Sequence, residues 1–154
     1  MKKILNTSLV IITLIVLVGC SHTVNSSKQN VLFKQLKDQK IISKGLKEID
    51  STSFCSRTFG ACGCDYTYIY KDSNGELVSI KYLKGGKNYD YMIVICHELV
   101  KNKNYTGPKK LDKTDYDYDD CYYSTSDKYV KSSDSTCETY LANENNKKYE
   151  FTKN

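Results

Sequence analysis

Apolar residues fall into three regimes along the chain. Ile4 to Val18 is a nearly continuous apolar run broken only by Asn6, Thr7, Ser8 and Thr13. From residue 28 to 44, Val31, Leu32, Leu36 and Ile42 recur roughly a helical turn apart among lysines and glutamines, which is the pattern of an amphipathic helix. Leu46 and Ile49 extend that apolar face beyond Gly45, and a Ser/Thr/Cys-rich loop from Ser51 to Gly63 ends it. The third regime is rich in tyrosine and β-branched residues: Tyr66 to Lys71, Glu76 to Leu83 and Asn88 to Leu99, separated by Asn74-Gly75 and Gly85-Gly86. Those dipeptides are turn signals, so three antiparallel strands in a meander are predicted.

The turns also predict a register. A two-residue loop at Asn74-Gly75 sets Ile69 opposite Ile80 and Thr67 opposite Tyr82. A two-residue loop at Gly85-Gly86 sets Tyr82 opposite Tyr89, Ile80 opposite Tyr91, Val78 opposite Ile93 and Lys81 opposite Asp90. One side of the meander then carries Ile69, Val78, Ile80, Tyr82, Tyr89, Tyr91, Ile93 and Ile95, the expected core. The other side carries Ser79, the pair Lys81 and Asp90, and a stripe of Tyr66, Tyr68 and Tyr70. Lys101 to Lys110, with the only proline at 108, reads as an exposed loop. Tyr116 to Tyr123 and Lys147 to Thr152 read as short further strands, on either side of the serine-rich stretch from Ser124 to Ser135. The expected fold is α+β: an N-terminal amphipathic helix, then an antiparallel β-meander of three or more strands.

The first apolar run has a different meaning. It follows Lys2 and Lys3 and ends in Leu17-Val18-Gly19-Cys20, which resembles the lipobox of a bacterial lipoprotein. A membrane-spanning helix needs about 20 predominantly apolar residues, and this run is shorter. The resemblance covers the first 20 residues. It implies that residues 1–19 are a signal peptide removed on export, and that Cys20 carries a diacylglycerol on its sulfur and an acyl chain such as palmitate on its amine. It makes 20–28 a lipidated cysteine with a flexible, serine-rich tether, and 29–154 a single extracytoplasmic domain. Several acyl chains give persistent attachment where one gives only marginal binding. Ser21 stands where an aspartate favours inner-membrane retention, so the expected address is the outer membrane, at its periplasmic face or the cell surface.

With Cys20 given to lipid, six cysteines remain: Cys55, Cys62, Cys64, Cys96, Cys121 and Cys137. An even set in an exported chain reads as a disulfide framework, which six cysteines can form in 15 ways. Cys62 and Cys64 lie about 6.6 Å apart on an extended strand, against a usual Cβ separation near 3.8 Å, so their mutual bond is disfavoured. In the predicted register Cys64 and Cys96 sit at opposite ends of the sheet, leaving Cys96 to find Cys55 or a C-terminal partner. A reducible Cys62-Gly63-Cys64 pair is the basis of the alternative reading, a periplasmic thiol-disulfide oxidoreductase.

Charge adds little. The chain carries a formal +5, and loss of the leader removes two lysines and no acid. The remaining lysines are dispersed, among them Lys34, Lys37, Lys40, Lys44 and Lys47, so no nucleic-acid footprint is present. His97 beside Cys96 cannot form a nucleophile–base dyad on a strand, where neighbours point to opposite faces. It shares the parity of Ile93 and Ile95, which places it at the core edge, while His22 falls in the tether. Asp112, Asp115, Asp117, Asp119 and Asp120 offer oxygens for calcium, with Asp115, Asp117 and Asp119 the candidates. An EF-hand would have glycine at 120 and glutamate at 126, where Asp120 and Ser126 stand, and alternation with Tyr116 and Tyr118 suits a charged strand face. No metal or cofactor is therefore expected.

Fourteen tyrosines and no tryptophan leave an interaction face of Tyr66, Tyr68, Tyr70 and Lys81, suited to a protein or glycan partner. Cys64, Tyr66 and Leu83 to Tyr89 resemble the lipoprotein inhibitors of lysozyme, which share a tyrosine-rich antiparallel sheet; the serine- and tryptophan-bearing inhibitory motif of that family has no counterpart in this chain. The reading is a membrane-anchored, non-catalytic binding module of the cell envelope, including inhibitor and immunity lipoproteins.

Overall fold

Asn25 opens the first described element by accepting a hydrogen bond from Lys28 N–H at 3.0 Å, as an N-cap does. The computed structural model describes residues 24–58, 61–107 and 126–154, with backbone alone for 56–58, 61–63 and 126. Helix α1 spans Ser26–Asp38 and buries Gln29, Leu32 and Leu36. The two leucines are fully buried, each contributing about 1.5–3 kcal/mol of apolar transfer. The helix begins inside the segment assigned to the tether and stops well short of 44. Its end is a Schellman motif: Ile41 N–H donates to Leu36 C=O and Lys40 N–H to Lys37 C=O, with Lys40 at φ 59° in the place usually taken by glycine.

After the helix the chain is mostly β. Strands β1 (Lys47–Thr58), β2 (Ala61–Lys71), β3 (Leu77–Lys84), β4 (Tyr91–Cys96), β7 (Cys137–Asn145) and β8 (Lys148–Lys153) form one antiparallel sheet in the order β1-β2-β3-β4-β7-β8. Strands β5 (Leu99–Lys101) and β6 (Tyr129–Lys131) make a second, two-stranded sheet, β6 following directly on a 3-10 turn at Ser126–Lys128. Strand β1 corrects the loop expected over Ser51 to Gly63, and Ile49 lies exposed in that strand. Glu98, at φ 55°, breaks the strand expected through Leu99, and Lys101 belongs to β5. Tyr116 to Tyr123 lies outside the described residues.

Both expected turns are longer than two residues. The first closes at Lys71 opposite Leu77, and Asp72 organises it: its carboxylate accepts from Asn74 N–H at 2.9 Å and Glu76 N–H at 2.8 Å. Tyr68 therefore faces Ile80 and Ile69 faces Ser79, one residue from the predicted pairing. The second closes at Lys84 opposite Tyr91, with Ile80 facing Ile95 and Lys81 facing Val94. Gly85 is required there, because a Cβ would collide with the backbone of Tyr89 and Asp90. Tyr89 consequently lies in the loop and outside the core.

Two cores result. Between α1 and the large sheet lie Leu32, Leu36, Tyr70, Val78, Ile80, Tyr82, Ile93, Ile95, Ala142 and Tyr149. On the other side, Ile69, Cys96, Leu99 and Tyr129 pack between the two sheets. Tyr149 fastens helix to sheet. Its N–H donates to Gln35 Oε1 at 2.6 Å, its C=O accepts from Gln39 Nε2 at 2.8 Å, and Lys28 and Glu144 meet its hydroxyl. Two glutamines one helical turn apart thus occupy the outer edge of β8 as a neighbouring strand would.

Candidate interaction surface

Among the described residues, the face of the large sheet turned away from α1 is covered only in part. Strands β5 and β6 cover the end that carries Ile69 and Cys96. Further along, the observed register lines up Phe54 with Asp65, and Leu83 with Met92 and Leu141. Continuing the β2–β3 register from Thr67 and Lys81 brings Asp65 level with Leu83, so these residues form one row across the sheet. Phe54 is 52 % exposed, and Leu83, Met92 and Leu141 are half-buried. None of the four belongs to either core. Within the row Asp65 separates Phe54 from Leu83 and pairs through Oδ2 with Lys81 Nζ at 3.1 Å, while its Oδ1 is buried without a hydrogen-bond partner. Val100 and Val130, paired across β5 and β6, are also exposed on the described surface.

The tyrosine stripe is not this surface. Strand alternation puts Tyr66, Tyr68 and Tyr70 on the helix side, where Tyr68 Oη donates to Gln29 Oε1 at 2.7 Å and Tyr70 stacks on Phe33 at 4.7 Å. Burial pushes the phenol pKa values of Tyr70 and Tyr82 well above the usual tyrosine range, with Glu48 raising both further. These are neutral core groups. Tyr82 Oη is buried and has no hydrogen-bond partner, although the Tyr70 hydroxyl is close enough to raise its pKa. Of the four residues of the expected interaction face, Lys81 alone is on the outer face. Its expected partner Asp90 is elsewhere, accepting from Glu144 N–H at 2.7 Å.

Cysteines Cys55 and Cys64 are bonded to each other across β1 and β2, and Cys96 and Cys137 across β4 and β7. Cys64, the expected partner of Cys62 in redox chemistry, is thus joined to Cys55 and buried. The side chains of Cys62 and Cys121, the lipidation residue Cys20, and the calcium candidates Asp115, Asp117 and Asp119 lie outside the described residues. Among the described residues no group of three or more His, Cys, Asp or Glu side chains could hold a metal ion, and no helix is long and apolar enough to cross a membrane. His97 is half-buried just past β4, its N–H donating to Thr136 C=O and its C=O accepting from Ser135 Oγ.

A second depression of about 1120 Å³ runs between α1 and the β7–β8 turn, lined by Val31, Lys34, Gln35, Lys147, Glu150 and Phe151 among others. Charges of both signs line it, and Gln35 and Gln39 are already engaged by β8.

The sequence signal for that face was present but masked. Leu83, Met92 and Leu141 alternate with core residues in their strands, so each strand reads as apolar on both faces. Only the six-strand register joins them into a row. No family model, curated protein or solved structure matches the chain.

Proposed function

We propose that this protein is a lipid-anchored, non-catalytic binding module of a bacterial envelope, and that its outer sheet face receives a protein partner. The observation carrying this reading is the row of Phe54, Leu83, Met92 and Leu141. A rigid sheet presents it without the ordering cost of a loop, and neighbouring apolar side chains left outside the cores mark interaction sites. The Lys81–Asp65 pair sets a charge inside the row, between Phe54 and Leu83, which gives the face a polar contact beside its apolar ones. The lipobox-like segment supplies the address, and the cystine bridges suit an oxidising compartment.

The test places a photo-crosslinking amino acid at Met92 of the full chain in its native envelope. A discrete adduct is expected, and Leu83→Glu should weaken its formation at least about tenfold, the effect of losing a moderate interface contact. The unfolding midpoint of Leu83→Glu should stay near that of the parent, since Leu83 belongs to neither core. Absence of an adduct, or one indifferent to both Leu83→Glu and Leu141→Glu, overturns the reading.

A further inference from the structure

We infer that the lipid anchor leaves this domain no room to stand away from its membrane, so that the first turn of α1 rests against the headgroups and the β5–β6 side faces the aqueous compartment. The inference deepens the proposed function and rests on its anchor at Cys20. Val24, the first described residue, is 5 % exposed and part of the main core. Its C=O accepts a hydrogen bond from Gln29 Nε2 at 2.6 Å, locking it to the helix that follows. Only Ser21, His22 and Thr23 separate Val24 from Cys20. Four extended residue steps span at most about 14 Å.

A domain of this length has a radius of gyration of about 14 Å, hence a diameter of about 35 Å. The headgroup layer itself is about 5–7 Å thick on each side of the bilayer core. At full extension the tether clears the headgroup layer by less than about 10 Å, a small fraction of the domain's width, so the part nearest Val24 is held at the lipid surface. That part is the first turn of α1, with Ser26 and Ser27 exposed and no acidic residue in the turn to repel anionic headgroups. Lys28 is fastened to Glu144 at 3.1 Å, which holds the helix start against the sheet. Helix α1 packs on one side of the large sheet and β5–β6 on the other, so the exposed Val100 and Val130 point away from the bilayer. The binding partner must then come to the membrane surface.

The chain has no tryptophan, which makes single-tryptophan probes unambiguous. Ser26→Trp and Asp134→Trp, both at exposed positions, are made in the full chain, and the acylated proteins are reconstituted in phosphatidylcholine–phosphatidylglycerol vesicles carrying a headgroup nitroxide lipid. Ser26→Trp should lose most of its fluorescence and Asp134→Trp almost none. A Gly/Ser spacer of about 20 residues between Ser21 and His22 should restore the Ser26→Trp signal, since such a linker reaches about 25 Å on average. Equal quenching at both positions, or quenching that survives the spacer, overturns the inference while leaving the anchor intact. Intact mass showing Cys20 without acyl chains overturns the anchor itself, and the inference with it.

Discussion

Asp50 shows how one residue joins the two sheets. It sits beside the irregularity in β1, and its carboxylate accepts hydrogen bonds from Tyr129 Oη at 2.6 Å and Lys128 Nζ at 2.5 Å. Burial by itself would raise its pKa, but the hydrogen bonds from Lys128, Tyr129 and the Ser51 N–H outweigh it and hold the carboxyl below its ordinary value. A carboxylate with a depressed folded-state pKa contributes stability in full above its unfolded value of about 3.9 and loses it as pH falls through the folded value. Asp50→Asn should therefore cost about 1 kcal/mol at pH 7 after allowance for solvent screening. That difference should close when urea unfolding is repeated at a pH below the folded-state value. A gap that persists at low pH would assign the loss to packing instead. Asp50 was illegible in the sequence, since its partners lie far along the chain and the strand containing it read as the end of an apolar helix face followed, from Ser51, by a loop.

At the scale of elements, apolar and tyrosine-rich strands were legible and polar ones were not. Strand β1 offers Ser51, Thr52 and Ser53 where a buried strand usually offers valine or isoleucine, yet Thr52 and Ser53 are buried. The two turn errors had unequal consequences for a physical reason. Side chains alternate with period two, so the one-residue slip at the first turn moved Ile69 and the tyrosines of β2 to opposite faces, whereas the four-residue slip at the second preserved every face of β4. The helix end was hidden because Lys40 takes the left-handed position that glycine usually announces. The two described bridges offer a comparison between elements. Cys55–Cys64 closes a separation of 9 residues and Cys96–Cys137 one of 41. Loop-closure entropy grows as the logarithm of that length, so the longer bridge should contribute about 1 kcal/mol more. Paired serine substitutions, Cys96→Ser with Cys137→Ser against Cys55→Ser with Cys64→Ser, should differ by that amount in denaturant unfolding, with the longer loop losing more.

For the whole molecule, the cysteines close on a definite arithmetic. The proposed anchor takes Cys20, and the two described bridges use Cys55, Cys64, Cys96 and Cys137, so Cys62 and Cys121 are the remaining cysteines of the sequence. One belongs to β2, beside a bridge at Cys64, and the other to the segment between β5 and β6. If the proposed export holds, these two cysteines have each other as the expected intramolecular partner in an oxidising compartment. The expected result of non-reducing peptide mapping on protein from its native envelope is a cross-linked pair containing Cys62 and Cys121, with no titratable thiol in the denatured protein. The bond would tie the tyrosine- and aspartate-rich segment to the β1–β2 hairpin, so Cys62→Ser with Cys121→Ser should leave the large sheet folded while accelerating proteolysis between Gly107 and Ser126. Two free thiols at these positions, reacting together with a disulfide substrate, would instead return the chain to the oxidoreductase reading. The pairing thus decides whether the last two sulfurs brace the molecule or act on another one.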